Sequence, residues 1–568
     1  MIAGLRAELG HTFKSGSHKG GYIIMSERKI SNTFGKQTRR DFLATTTATA
    51  GAAAAAAAMA SMPGSALAKK NMKKGGTLRF STRSDARGLD PQRNVIYYVS
   101  HPLAATSGGL LDIDANMDIV PAIGEEWTIS DDMKTYTFKL KKGVTFHNGA
   151  DVDAPAIKWN YDRVRDPKTS HSFHRSFFKE VEDVVAVDKH TLRITLKTPS
   201  AVFLASVTYY PVNLIAPNAV DQVDTHPIGC GPFKFVSWKR YAKTEMVRFE
   251  NFWQTDAQGN SYPYLDAIEG YPKKEDKVRL VALRTGEVDL IENMSYADAA
   301  NFKKNETANF NTWDIPQVGT GYLAVQSKNG PFAMSAADGK LMRQALAHAI
   351  DKEAIHQSIF NGLSESLNGF YGSASSWHMP DIKNAKEYDP EKSKSILNKL
   401  NAMNTPIAVV SRQAYSYMHD TGELVYSMLQ EAGFKTTNEV FDNPVLRKKY
   451  KKADYGIDST ANSYRFEPDQ WYSVNILSTG PSTKLRTGYK NEAADKLIIA
   501  ARATRDKQVR MEMYTDVESM VNEDAALIYT HGIPLTSAAT KKLKDYAPAF
   551  AGPFNISNGG VRTAYLEE

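Results

Sequence analysis

The 568-residue sequence predicts an α/β protein. Three observations carry this: strand-like alternation dominates the first third, amphipathic helices take over later, and one stretch reads strand, helix, strand. Tyr136, Phe138 and Leu140 alternate with Thr137, Lys139 and Lys141. Leu192, Ile194 and Leu196 alternate with Arg193, Thr195 and Lys197. Each run predicts a half-buried strand, because successive side chains point to opposite faces. Between them, residues 153–165 predict a helix with Ile157 and Tyr161 turned inward at i, i+4. Leu341, Ala345 and Ala349 run beside Met342, Leu346 and Ile350, predicting one helix through 340–360. Leu424, Val425, Met428, Leu429 and Ala432 predict another, with Gly433 as its stop. Val509, Met513, Val517 and Met520 mark a further one. The apolar run 407–410, the helix over 422–432 and a strand over 434–440 form a β-α-β unit, which requires parallel pairing and a right-handed crossover. Loops after the C-terminal ends of such strands line a ligand crevice. That rule places Ser411-Arg412-Gln413-Ala414-Tyr415 at a candidate site.

The first 68 residues speak of location. Thr38-Arg39-Arg40-Asp41-Phe42-Leu43 is a twin-arginine pattern. A weakly apolar stretch follows, with seven consecutive alanines from Ala52 to Ala58, and then Ala66-Leu67-Ala68, a small-residue cleavage site. Together they resemble a Tat export signal, which implies the Tat translocase as an export partner and a periplasmic location. Met25 is an alternative start that shortens the region before the arginines. A membrane anchor fits poorly, since Thr45, Thr46, Thr47 and Thr49 interrupt the run.

Charge argues against nucleic acid. The whole chain carries +7, but the first 68 residues hold eight basic and three acidic residues, +5 in all, leaving +2 for the mature chain. Nothing after the signal is apolar for about 18 residues, the length a membrane helix needs. The one cysteine, Cys230, lies in Ile228-Gly229-Cys230-Gly231-Pro232 and predicts a buried thiol in a turn.

Longer motifs add specificity. The stretch from Pro121-Ala122-Ile123-Gly124-Glu125-Glu126-Trp127 to Gly143-Val144-Thr145-Phe146-His147-Asn148-Gly149 is the most distinctive. Leu89-Asp90-Pro91, Gly229-Cys230-Gly231-Pro232-Phe233, Arg284-Thr285-Gly286-Glu287-Val288-Asp289 and Arg343-Gln344-Ala345-Leu346 agree in order. This set resembles the family 5 extracellular solute-binding proteins, the dipeptide, oligopeptide and nickel binding components of ABC importers. The resemblance implies a type II periplasmic-binding-protein fold, a Venus flytrap of two α/β lobes with an extra β-rich domain. It implies a first lobe over 69–115, 226–320 and 535–568, the extra domain over 116–225, and a second lobe over 321–534. It also implies a monomer that binds a small-molecule or peptide-like solute and delivers it to an inner-membrane ABC permease.

Within that frame Arg412 is the first candidate for the ligand, at the position where dipeptide-binding relatives hold a carboxylate. A guanidinium fork suits that task with two charge-assisted hydrogen bonds. Glu467-Pro468-Asp469 resembles the relatives' Asp-Pro-Asp. The position three residues earlier, an ammonium-binding aspartate in those relatives, reads Tyr464 here and is followed by Arg465. The substitution favours an anionic or uncharged solute. Tyr97, Tyr98, Trp377 and Trp471 are candidate aromatic walls. Arg343 reads as a helix-packing residue and His147 as structural. No Gly-x-Ser-x-Gly elbow, Walker loop or H-E-x-x-H helix is present, so neither an enzyme nor a cofactor is expected. A chaperone- or sensor-like use of the same fold and a nickel-type chelate binder, with His378 and His419 as scattered histidines, stay open as alternatives.

Overall fold

A computed structural model describes residues 74–567, apart from 87, 95–103, 115–117, 209–211, 414, 547 and 549–559. The export segment and Tyr97 and Tyr98 lie outside the described residues. The strands in chain order begin with β1 (Thr77–Ser81), β2 (Leu111–Ile113), β3 (Ile119–Pro121), β4 (Gly124–Ile129), β5 (Thr135–Leu140), β6 (Val181–Asp188) and β7 (Thr191–Leu196). Then come β8 (Phe233–Lys239), β9 (Lys243–Arg248), β10 (Ala267–Gly270), β11 (Leu290–Glu292) and the long β12 (Phe310–Val325). The last six are β13 (Pro406–Arg412), β14 (Lys435–Phe441), β15 (Ile457–Ser463), β16 (Leu527–Thr540), β17 (Leu543–Lys544) and β18 (Tyr565–Leu566).

Ten strands form one sheet in the order β14-β13-β15-β12-β16-β11-β1-β10-β9-β8. Its two ends hold parallel pairs, β13 with β14 and β15 on one side and β1 with β10 and β11 on the other. These ends are the two α/β lobes. β12 and β16 belong to both. They pair antiparallel from Phe310↔Thr540 to Ile315↔Leu535, and again from Gly319↔Ile533 onward. In the gap three residues of β12 face one of β16. Pro316 and Pro534 sit there and have no N–H to give to a ladder. Gln317 braces the gap: its Nε2 donates to the Phe370 carbonyl at 2.9 Å, and its Oε1 accepts from the Gly372 N–H at 3.0 Å.

The alternating runs of the first third form a separate antiparallel sheet, β4-β5-β7-β6. Tyr136, Phe138, Leu192 and Ile194 are fully buried on one face, against Ile157 and Tyr161 of the helix Ala154–Arg165. Asp153 starts that helix by accepting from the Ala156 N–H at 3.0 Å. Burying each of these large apolar side chains stabilises by about 1.5–3 kcal/mol. Gly229-Cys230-Gly231 closes the edge of this core. A Cβ on Gly229 would stand 2.1 Å from the Thr106 carbonyl, and one on Gly231 2.7 Å from that of Ala105. Cys230 is fully buried, and burial pushes its thiol up to about 12. His147 takes a structural place beside it, its Nε2 3.0 Å from the Gly231 carbonyl.

The β-α-β unit forms as expected, with β13 and β14 parallel along their full length and the helix Ser416–Glu431 between them. Gly433 sits at φ +100°, a conformation L side chains rarely adopt, and ends the helix as the sequence suggests. The single helix expected over 340–360 is two, Gly339–His348 and Lys352–Phe360. Asp351 divides them: its side chain accepts from the Ala354 N–H at 2.9 Å and opens a new helix, which a continuous one could not accommodate. Arg343 packs as expected, buried, donating to the carbonyls of Asp524 and Phe332, each at 2.8 Å. No helix among the described residues is long and apolar enough to cross a membrane.

Candidate functional site

The ladder gap forms the floor of a cleft of about 530 Å³ between the two lobes. That volume suits a small organic ligand. Val318, Gly319 and residues 533–536 line the floor. The wall on the β1 side carries Arg83, just past the C-terminal end of β1, with Asp276 and residues 293–297. Buried Arg279 holds this wall together. It donates to Asp276 Oδ1 and to the carbonyls of Lys273, Lys274, Glu292 and Asn293. Ser295 caps the helix Tyr296–Asn305, accepting from the Asp298 N–H at 3.1 Å.

The facing wall comes from the C-terminal ends of β13 and β15 and the start of the helix Ser416–Glu431. Arg412 ends β13 and is only 8% exposed. Its guanidinium donates to Thr460 Oγ1 and, at 2.8 Å, to the Tyr450 hydroxyl. Behind it lies Asp458, fully buried, with one oxygen 3.7 Å from Arg412 and the other 3.8 Å from Arg486. Tyr450 donates its own proton to Asp458 at 2.6 Å, and Arg486 covers the Tyr450 ring at 5.2 Å. Arg486 also donates to the Tyr322 hydroxyl at 3.0 Å. Two guanidiniums therefore share one carboxylate, and both line the cleft.

Of the residues singled out from sequence, the described structure places Arg412 in the cleft lining, together with Tyr415 of the loop that follows it. Tyr464 lies outside that lining. It is buried, hydrogen bonded to Ser375 Oγ at 2.5 Å, and burial pushes its hydroxyl up to about 12. Arg465 is half-buried next to it, its carbonyl accepting from Tyr371. Trp377 donates to the Phe466 carbonyl at 3.1 Å and is flanked by Lys507 and Arg510. Trp471 is a core residue, stacked on Phe370 at 4.2 Å and donating to Tyr529. Tyr464, Arg465 and Trp471 thus pack around Tyr371 and Phe370, Trp377 lies beside them on Ser375 and Phe466, and none of the four lines the cleft. His378 lies with them, while His419 sits on the helix Ser416–Glu431 beside Asp420 and Glu423, their ligand atoms within 4.8 Å of one another.

Sequence reasoning missed Arg83 and Arg486. Arg83 follows a strand end and obeys the rule that found Arg412, once β1 is recognised. Arg486 follows the five-residue helix Pro481–Leu485 in a segment with no periodicity, and only the tertiary approach to Asp458 reveals it.

A model of the bacterial extracellular solute-binding proteins, family 5, matches residues 118–484. The chain belongs to that family. Among curated relatives, the glutathione-binding protein GsiB of Salmonella paratyphi A is 27% identical over 459 residues, spanning 77% of this chain and 85% of GsiB. Among solved structures, the ABC transporter-associated periplasmic binding protein DppA from Helicobacter pylori, in complex with the peptide STSA, aligns with a TM-score of 0.72 at 21% identity, over 87% of this chain and 99% of that one. NikA from Brucella suis, in complex with Fe(III)-EDTA, aligns with a TM-score of 0.75 at 19% identity, over 87% and 100%. Both share the two-lobed type II fold of family members.

Proposed function

We propose that this family 5 protein is the periplasmic capture component of an ABC importer, taking up a peptide-like or other small organic solute. The observation that carries this is the cleft of about 530 Å³ walled by polar side chains from both lobes, with Arg412 and Arg486 on one side and Arg83 on the other. Capture needs no covalent chemistry. The lobes close over the solute about the gap between β12 and β16 and present that closed form to an inner-membrane permease. Export by the Tat translocase and cleavage after Ala68 deliver a monomer to the periplasm. In this reading the first lobe takes the β1 end of the large sheet, the second the β13 end, and the small antiparallel sheet is the extra domain.

The glutathione-binding GsiB and the peptide complex of DppA support a peptide-sized solute. The test is mass spectrometry of solute retained by natively purified mature protein, followed by thermal unfolding with that solute added back. Binding to the folded state alone raises the melting temperature with concentration. A protein that retains nothing, responds to no small solute, and instead protects an unfolding client would belong to the chaperone-like reading.

A further inference from the structure

The charges around the cleft are unevenly matched, and Arg83 on the β1-side wall has a partner of its own. Asp276, on the β1-side wall, is tied to Arg279 at 2.5 Å. Asp458, behind the facing wall, already receives Tyr450 and stands between Arg412 and Arg486. Asp420 also lines the cleft, but its side chain is 52% exposed and sits beside His419, so water screens it. Among the described lining residues, no buried carboxylate is left to receive an ammonium. On the facing wall two guanidiniums confront one carboxylate, which leaves one positive charge over. Among the described residues, Nη2 of Arg486 has no hydrogen-bond partner, while its Nη1 and Nε are turned to Tyr322 and Asp458.

Resting on the solute-capture reading above, we infer that the solute carries one carboxylate, seated jointly by Arg412 and Arg486, and no cationic amine. One negative charge restores the balance of that wall, and Nη2 of Arg486 gives it a donor that folding has not used. A zwitterion would bring an ammonium to a wall whose one buried carboxylate, Asp458, already faces two guanidiniums, and a partly buried unpaired charge weakens binding. Arg486 is then a specificity-determining residue: Arg412 is held by Thr460 and Tyr450, and Arg486 supplies the charge in excess.

The experiment uses the mature protein and a panel of N-acetyl dipeptides, free dipeptides and dipeptide amides matched in side chains, joined by the tripeptide glutathione, amine-free sugar acids and phosphate monoesters. Thermal unfolding ranks the panel and calorimetry measures the best compounds. The expected result is that the strongest stabilisers are amine-free carboxylates. Arg486→Gln should weaken them roughly tenfold or more, and Arg486→Lys by less, since it keeps the charge and loses the fork. Unfolding of each variant without solute shows whether it remains folded. Strongest binding by free dipeptides, glutathione or amides overturns the inference and leaves solute capture standing. Leadership by phosphate monoesters overturns the single carboxylate, and so does a folded Arg486→Gln that binds within twofold of the natural protein. Silence across the whole panel, with nothing retained on native purification, counts against solute capture itself.

Discussion

Glu518 shows how far a single buried group can govern stability. It is fully buried on the helix Lys507–Asp524, and burial lifts its carboxyl to about 7, against hydrogen bonds from Tyr472 and the Phe370 N–H. Its value in the unfolded chain is near 4.5. The folded protein therefore keeps a proton that the unfolded chain releases, so this contribution is complete below pH 4.5 and lost as pH rises through 7. Between pH 5 and 8 the natural protein should lose about 2–3 kcal/mol more stability than Glu518→Gln. Urea unfolding at the two pH values measures it, and parallel losses would refute the assignment. Cys230 offers a second check. With its thiol buried and held up to about 12, the folded protein at pH 8 should resist iodoacetamide and be alkylated only at the rate of unfolding. Mass spectrometry that finds rapid labelling of native protein would contradict that environment. At this scale sequence was informative for Cys230 and Arg412, whose settings follow from local pattern and a strand-end rule. It said little about Glu518 or Arg486, whose partners lie far along the chain.

Elements with one wet face were legible, because alternation or a helical stripe records that face in the sequence. β5 and β7 and the helix Ala154–Arg165 are examples. β16 is the opposite case. Its fourteen residues are buried at every position but the last, so both faces are covered and no period marks the strand. The break at Asp351 was also hidden, since the apolar stripe continues across it and only the capping side chain reveals the second helix. Gly433, by contrast, is a stop that sequence identifies and φ explains. Gly433→Ala forces a Cβ into a conformation that disfavours it and against Met403. It should cost about 1 kcal/mol or more, read as a lower denaturation midpoint at unchanged m-value. An unchanged midpoint would mean the turn relaxes freely.

For the whole molecule, export and capture are separable. Arg39→Lys combined with Arg40→Lys should leave full-length precursor in the cytoplasm, while protein exported by the natural signal should begin at Lys69. Fractionation and N-terminal sequencing decide this, and normal export of the double variant would remove the twin-arginine assignment. Capture depends on β12 and β16, which run through both lobes and pause together between Ile315 and Gly319. Two shared strands prevent the lobes from sliding apart and leave bending along one crease as the easy motion. A measured dissociation constant then multiplies two equilibria, the grip of the cleft and the set of the crease. Gln317 lies outside the cleft lining yet clamps the crease to the Phe370–Gly372 backbone. Calorimetry on Gln317→Ala should show solute affinity down a few-fold with every cleft side chain intact; an unchanged affinity would mean the crease is set elsewhere. Selection on such a protein can tune how tightly it holds its cargo, and how readily it lets go, without altering a single residue that touches it.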